Sequence, residues 1–275
     1  MIFVPDHFGQ KLAKAVDAHG PLCVGIDPHP SLLDAWGLSP TVEGLERFAL
    51  TAVEAFGGTV AMVKPQAAFF EAYGSRGVAV LERVIADLRD SGTLVLVDAK
   101  RGDIGSTMAA YAQAYLGDGS PLAGDAVTLS PFLGFGSLQP ALDKARETGR
   151  GVFVLALTSN PEGAEVQRVV APDGRTVAQT IIDFAADRNS GISPCGDVGL
   201  VVGATIGETD VDLSRFNGPI LAPGFGAQGG SVADLKRLFG SDMRGVLPTS
   251  SRDVLKHGPD VSSLVSAVRR VQESL

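Results

Sequence analysis

The chain has 275 residues, 45% of them hydrophobic and 20% charged, a composition that excludes wholesale disorder and suits a globular protein with a large core. A formal charge of −8, with 23 Lys and Arg dispersed along the chain, speaks against non-specific nucleic-acid binding, so any anionic ligand must be held by a local site. Cys23 and Cys195 are the only cysteines and have no paired ligand spacing, which argues against a disulfide framework or a thiolate metal site.

The opening stretch MIFVPDHFGQKLAKAVDAHG meets Asp6 early and reads as an amphipathic helix rather than the apolar core of a signal peptide. Uncharged stretches such as residues 126–142 are interrupted by Gly, Pro and Ser and do not read as membrane spans. A cytoplasmic protein with no membrane partner is expected. After the first helix come eight short apolar runs: LCVGID from Leu22, VAMVK from Val60, LVLVDAK from Leu94, AVTLSP from Ala126, VFVLALT from Val152, VGLVVGAT from Val198, PILAPG from Pro219 and GVLPTS from Gly245. Their near-continuous hydrophobicity is that of parallel strands covered on both faces. Segments of helical period separate most of them, beginning near Gly44, Gly77, Ser106, Leu138, Thr176, Ser231 and Val261, with only a weak candidate over Glu208 to Phe216. The alternation predicts a single-domain (β/α)₈ barrel preceded by an N-terminal helix, with a doubly wound open sheet as the structural alternative. One irregular stretch, at about residues 159–178 after the fifth strand, contains a PDG turn between two short β-like pieces and reads as an insertion on the catalytic face, or a passive excursion.

The polar residues gather where these strands end. Asp27 closes the first strand, Lys64 the second, Asp98 and Lys100 the third, Ser130 the fourth, and Thr158 with Asn160 the fifth. A barrel brings all such ends to one mouth. Side-chain alternation directs Asp98 and Lys100 to the same side, with Asp103 at the start of the following loop. An isolated D-x-K-x-x-D is commonly a solvated ion-pair ladder. Lys64 on the adjacent strand, however, extends it into alternating cations and carboxylates. Flanking carboxylates favour a charged Lys, suited to act as a proton donor and cation.

The stretch LAPGFGAQGGSVADL from Leu221 holds Gly224, Gly226, Gly229 and Gly230, which allow backbone N–H groups to approach a phosphate near a helix start. Arg252, just after the eighth strand, can grip phosphate bidentately, and Gln228 can donate through its amide. Loops after strands seven and eight are a recurrent phosphate site in barrels. Of the four His only His29, in DPHP after strand one, is near the mouth, and it has no partner in the sequence. No H-x-x-H or C-x-x-C set suggests a metal.

The set DAKRGDIGST with GIDP, VKPQ, LSPF, APGFGAQGG and SSR resembles the orotidine 5'-phosphate decarboxylase family in its longer bacterial form, from about Asp27 to Arg252. The resemblance implies a (β/α)₈ barrel, a homodimer with active sites at the interface, and conversion of orotidine 5'-phosphate to UMP and CO₂ with no metal or organic cofactor. By matching motif, Lys100 is similar to the family's proton donor and Asp98 to the carboxylate beside the departing CO₂. Asp103 and Thr107 resemble the residues contributed to the neighbouring subunit's site. Lys64 and Asp27 match positions at the charge array and ribose hydroxyls, and Ser130 the serine that reads the pyrimidine edge. Pro223, Gln228 and Arg252, with Gly226 and Gly229, resemble the loop that closes over base and phosphate. The insertion has no counterpart in compact members, and His29 matches no functional residue. A metal-dependent lyase acting on keto-sugar phosphates would share D-x-K-x-x-D, but would place a carboxylate where this chain has Lys64.

Overall fold

Each of the eight apolar runs becomes a strand, and their order around the sheet is their order in the chain, closed by pairing of the first with the last. The computed structural model describes residues 6–206, 211–226, 229–241 and 243–275. The strands are β1 (Cys23–Ile26), β2 (Met62–Pro65), β3 (Leu94–Arg101), β4 (Ala126–Leu129), β5 (Gly151–Leu157), β6 (Val198–Val202), β7 (Ile220–Pro223) and β8 (Val246–Ser250), all parallel. Helix α1 (Phe8–His19) precedes them; α2 (Pro30–Ala35) and α3 (Val42–Phe56) follow β1, α4 (Ala67–Glu71) and α5 (Gly74–Asp90) follow β2, and α6 (Gly105–Leu116) and α7 (Gln139–Thr148) follow β3 and β4. After β5 come α8 (Ala164–Gln167) and α9 (Val177–Arg188), then α10 (Val232–Phe239) after β7, and α11 (Arg252–Leu255) and α12 (Val261–Glu273) at the end. This is the (β/α)₈ barrel the alternation predicts. Residues 211–216 carry no helix; the rest of the weak candidate, 208–210, lies outside the described residues.

Strand pleating divides the core in two. Outward positions such as Val24, Val63, Val97, Val127 and Val154 pack against the helices, while the inward Cys23, Met62, Leu96, Ala126, Phe153, Leu221 and Leu247 form a separate apolar floor inside the barrel. Helix α1 seals that floor from below. Phe8 is fully buried with its ring edge-on to Phe153 at 6.0 Å, and Leu12 joins the same cluster. Burial of a Phe side chain contributes about 1.5–3 kcal/mol. The helix start is pinned by Asp197, whose Oδ1 lies 2.6 Å from His7 Nδ1 and accepts the Gly9 N–H at 2.8 Å.

The excursion after β5 has structure of its own. Residues 161–163 form a 3₁₀ turn leading into α8, and the PDG turn closes a small antiparallel bridge between Val170 and Thr176. Thr176 then caps α9 by accepting the Gln179 N–H at 3.0 Å. No described helix is long and apolar enough to cross a membrane.

Candidate active site

Moving two residues beyond the floor positions leads into the cavity, and on four strands it changes an apolar side chain to a polar or charged one. Met62 gives way to Lys64, Leu96 to Asp98, Ala126 to Thr128, Phe153 to Leu155, Leu221 to Pro223 and Leu247 to Thr249, and all of these second positions line one cavity of about 360 Å³ at the C-terminal mouth. Asp27, Gln66, Lys100, Thr158, Ser159, Asn160, Ser251 and Arg252 complete much of its wall.

At its base is an ion array. Lys64 Nζ donates to Asp98 Oδ2 at 3.1 Å and to Gln66 Oε1 at 3.2 Å, and lies 3.8 Å from Asp27 Oδ1. Lys100 Nζ donates to the other oxygen of Asp98, Oδ1, at 2.6 Å. Burial alone would push the Asp98 carboxyl up, but the Lys64 and Lys100 ammonium groups and hydrogen bonds from Lys100 and Thr128 outweigh it and hold the group well below the usual carboxylate range. For Lys64, burial would lower the ammonium, yet Asp27 and Asp98 more than offset this and raise it above the ordinary lysine value. The array is therefore ionised at neutral pH at both buried members. Asp27 Oδ1 is buried without a hydrogen-bond partner and faces the Lys64 ammonium, while the residue itself lines the cavity. Cys23, below in the floor, has its thiol pushed up to about 12 by burial and is chemically quiet.

Lys100 departs from simple strand alternation. Its φ of +47° puts it in the left-handed region, the only non-glycine residue there among the described residues. The β3–β4 register shifts at the same point, from Val97 opposite Val127 to Arg101 opposite Leu129. The two groups do meet, but through a bulge rather than a regular pleat. Directly after it, Gly102 passes so close to β4 that a Cβ would fall 2.3 Å from the Ser130 carbonyl oxygen. Arg101 braces the turn by donating from Nη1 to the Ala99 carbonyl at 2.9 Å, while its other end pairs with Glu71 and bonds the Tyr115 hydroxyl at 3.1 Å.

The remaining residues singled out in the sequence divide clearly. Asp27, Lys64, Asp98, Lys100, Pro223 and Arg252 line the cavity. Ser130 does not: it lines an adjoining cavity of about 420 Å³, and the serines on the main wall are Ser159, two positions past the end of β5, and Ser251. Asp103 and Thr107 also lie outside this chain's cavity; Asp103 Oδ1 accepts the Ile104 N–H at 2.8 Å, and Thr107 is exposed in the first turn of α6. Gly226 and Gly229 adopt φ of +77° and +88°, but their N–H groups are committed to the Gly230 and Gly226 carbonyls, so these glycines shape the loop without presenting their amides to the cavity. Gln228 lies outside the described residues. His29 is structural. Its ring accepts the Ser31 N–H at 3.2 Å at the start of α2 and stands edge-on to Phe69.

Thr128, Gln66, Ser159 and Thr249 are cavity residues that motif reading passed over; the two-residue step from the floor would have found Thr128 and Thr249.

The profile of the "Orotidine 5'-phosphate decarboxylase / HUMPS family" matches residues 20–265, which include every described residue of the cavity wall. The chain belongs to this family. It is 62% identical over 266 residues to the orotidine 5'-phosphate decarboxylase of Salinispora tropica, covering 97% of this chain and 96% of that one, and 59% identical over 263 residues to that of Streptomyces coelicolor, covering 96% and 95%. A Streptomyces avermitilis crystal structure assigned as an orotidine 5'-phosphate decarboxylase superposes with a TM-score of 0.96 at 59% identity, covering 99% of this chain and 95% of that one. The Leishmania donovani OMP decarboxylase superposes with a TM-score of 0.74 at 31% identity, covering 97% and 96%.

Proposed function

We infer that this chain is an orotidine 5'-phosphate decarboxylase that forms UMP and CO₂, and that the Lys64–Asp98–Lys100 array performs the chemistry. The observation that carries this reading is the pair of ammonium groups held on opposite oxygens of one buried carboxylate.

The bond from C6 to the substrate carboxylate breaks, CO₂ leaves, and the electron pair remains on C6, which has no adjacent carbonyl placed to delocalise it as an enolate. The site therefore needs a fixed cation near C6 and then a proton. Lys100 supplies both: its ammonium stabilises the developing charge and transfers a proton to C6, and solvent reprotonates the amine. A preorganised charge acting on the transition state is the kind of effect that dominates enzymatic rate enhancement. Asp98 orients Lys100 and faces the departing carboxylate. Asp27, on the cavity wall, accepts the ribose hydroxyls. Arg252 grips the phosphate from the start of α11, and this remote binding energy helps to close the site over the ring.

The protein works as a homodimer in which Asp103 and Thr107 serve the neighbouring chain's site. Their position outside this chain's own cavity supports that, as do the exposed Ile104, Phe132 and Leu133 on the neighbouring loops, 61%, 77% and 53% accessible.

The reaction is followed by the ultraviolet band of orotidine 5'-phosphate. Loss of the band on mixing, unaffected by chelator, is the outcome that agrees; a persistent band at stoichiometric enzyme, or activity lost to chelator and restored by Mg²⁺, refutes it. Lys100→Ala should abolish turnover and spare UMP binding, and Arg252→Ala should chiefly weaken binding. Mixed Lys100→Ala and Asp103→Ala chains should regain activity through shared sites.

A further inference from the structure

At the end of β3 three residues, Asp98, Ala99 and Lys100, stand against a single residue of β4, Thr128, because Val97 pairs with Val127 and the next pair is Arg101 with Leu129. Such a bulge leaves backbone groups without their ladder partners. Thr128 meets that need with its side chain. Its Oγ1 accepts the Lys100 backbone N–H at 2.9 Å and donates to Asp98 Oδ1 at 2.8 Å, the same oxygen that receives the Lys100 ammonium. The residue is 1% exposed, and its β-branched side chain has few rotamers, so the hydroxyl direction is fixed by the strand.

The contact falls where the backbone is least at ease. A lysine at φ +47° persists only when its surroundings over-determine it, and this is the residue whose ammonium must be aimed. Arg101 holds the Ala99 carbonyl on one side of the turn, and Thr128 holds the Lys100 N–H on the other.

We propose that Thr128 is a positioning residue: one hydroxyl fixes both the left-handed backbone of Lys100 and the rotamer of Asp98, and so sets where the proton-donating ammonium stands. This rests on the decarboxylase reading given above. The hydroxyl's only proton is spent on Asp98, which leaves it no donor for a ligand.

The test compares Thr128→Val, which keeps the shape and deletes both hydrogen bonds, with Thr128→Ser, which keeps the hydroxyl. Turnover, KM, UMP affinity and the crystal structure of each variant are measured beside the wild-type protein. Thr128→Val is expected to lower kcat on the order of 10²-fold, as misplacement of a reacting group by about 1 Å does, with UMP affinity retained. In its crystal structure Lys100 leaves the left-handed region or its ammonium leaves Asp98. Thr128→Ser restores most of the rate. Unchanged kcat, a matching loss of UMP affinity, or a Thr128→Ser variant as impaired as Thr128→Val overturns the proposal. If Thr128→Val does not fold, Thr128→Cys, a similar shape with feeble hydrogen bonding, takes its place. A wild-type protein without turnover refutes the decarboxylase reading alone. The variant structure then decides the positioning role by itself, and an unmoved Lys100 refutes that role.

Discussion

Lys64 donates to Asp98 across 3.1 Å with only 4% and 6% of the two residues exposed, so each charge draws part of its solvation from the other. Removing one partner leaves the second buried with fewer compensating groups, Lys100 and Thr128 for Asp98 or Asp27 and Gln66 for Lys64. Lys64→Met should therefore destabilise the fold, by at most the roughly 3–5 kcal/mol that leaving a buried charge uncompensated costs, because Lys100 and Thr128 still hold Asp98. The double variant Lys64→Met/Asp98→Leu should lose less than the sum of the two single changes. Urea unfolding of the three variants measures both quantities, and strict additivity would contradict the coupling.

The same pair fixes a pH dependence with a definite sign. The Asp98 carboxyl is held below its ordinary value of 3.8, so its stabilising contribution is complete above that value and is lost as pH falls through the folded-state value. Lys64 is raised above 10.5, so its contribution is complete below that pH and is lost as pH rises through the folded-state value. The stability difference between wild type and Asp98→Asn should hence be flat from about pH 5 to pH 9 and shrink in acid below about pH 4. A decline that starts near pH 6 would show that the carboxylate is not held low.

Ser159, not Ser130, stands on the wall of the cavity. Ser159→Ala should weaken UMP binding by an amount on the order of one hydrogen bond, about 1 kcal/mol. Ser130→Ala should change it less. Calorimetric titration of UMP into each variant ranks them, and the opposite ranking would favour Ser130 for the contact to the base.

The insertion after β5 is tied to the site by Gln167. Its Oε1 accepts the Thr158 N–H at 2.9 Å, and its Nε2 donates to Thr158 Oγ1 at 2.8 Å; that hydroxyl in turn donates to Asn160 Oδ1 at 2.7 Å. Thr158 and Asn160 both line the cavity. Gln167→Ala should raise KM with little change in kcat and should speed proteolysis within 159–178. Unaltered KM and an unaltered cleavage rate would make the insertion a passive excursion.

The strands and most helices were legible because doubly covered parallel strands are apolar throughout and amphipathic helices keep a 3.6-residue period. The short helices α2, α4, α8 and α11 were missed, each being too brief to show a period. Asp27, Lys64, Asp98 and Lys100 were legible as charges at the ends of apolar runs. The bulge at Lys100 was not, since alternation assumes a regular pleat and only the partner strand reveals three residues facing Thr128. Ser130 lines the adjoining cavity for a related reason. After β4 the chain leaves the strand direction, and a position that alternation would aim inward turns to the adjoining cavity. Thr128 sat unnoticed in AVTLSP because a lone threonine in a strand is ordinary β-former chemistry.

The apolar floor beneath the array also acts as electrical insulation. Sealed by Phe8 and Leu12, it denies water and counterions any approach to Lys64 and Asp98 from below, while Arg252 stands exposed at the rim. Dissolved salt screens exposed charges far more than buried ones. Added potassium chloride should therefore loosen the phosphate grip and raise KM, yet leave kcat almost untouched, so that ionic strength separates anchoring from chemistry in a single unmutated protein.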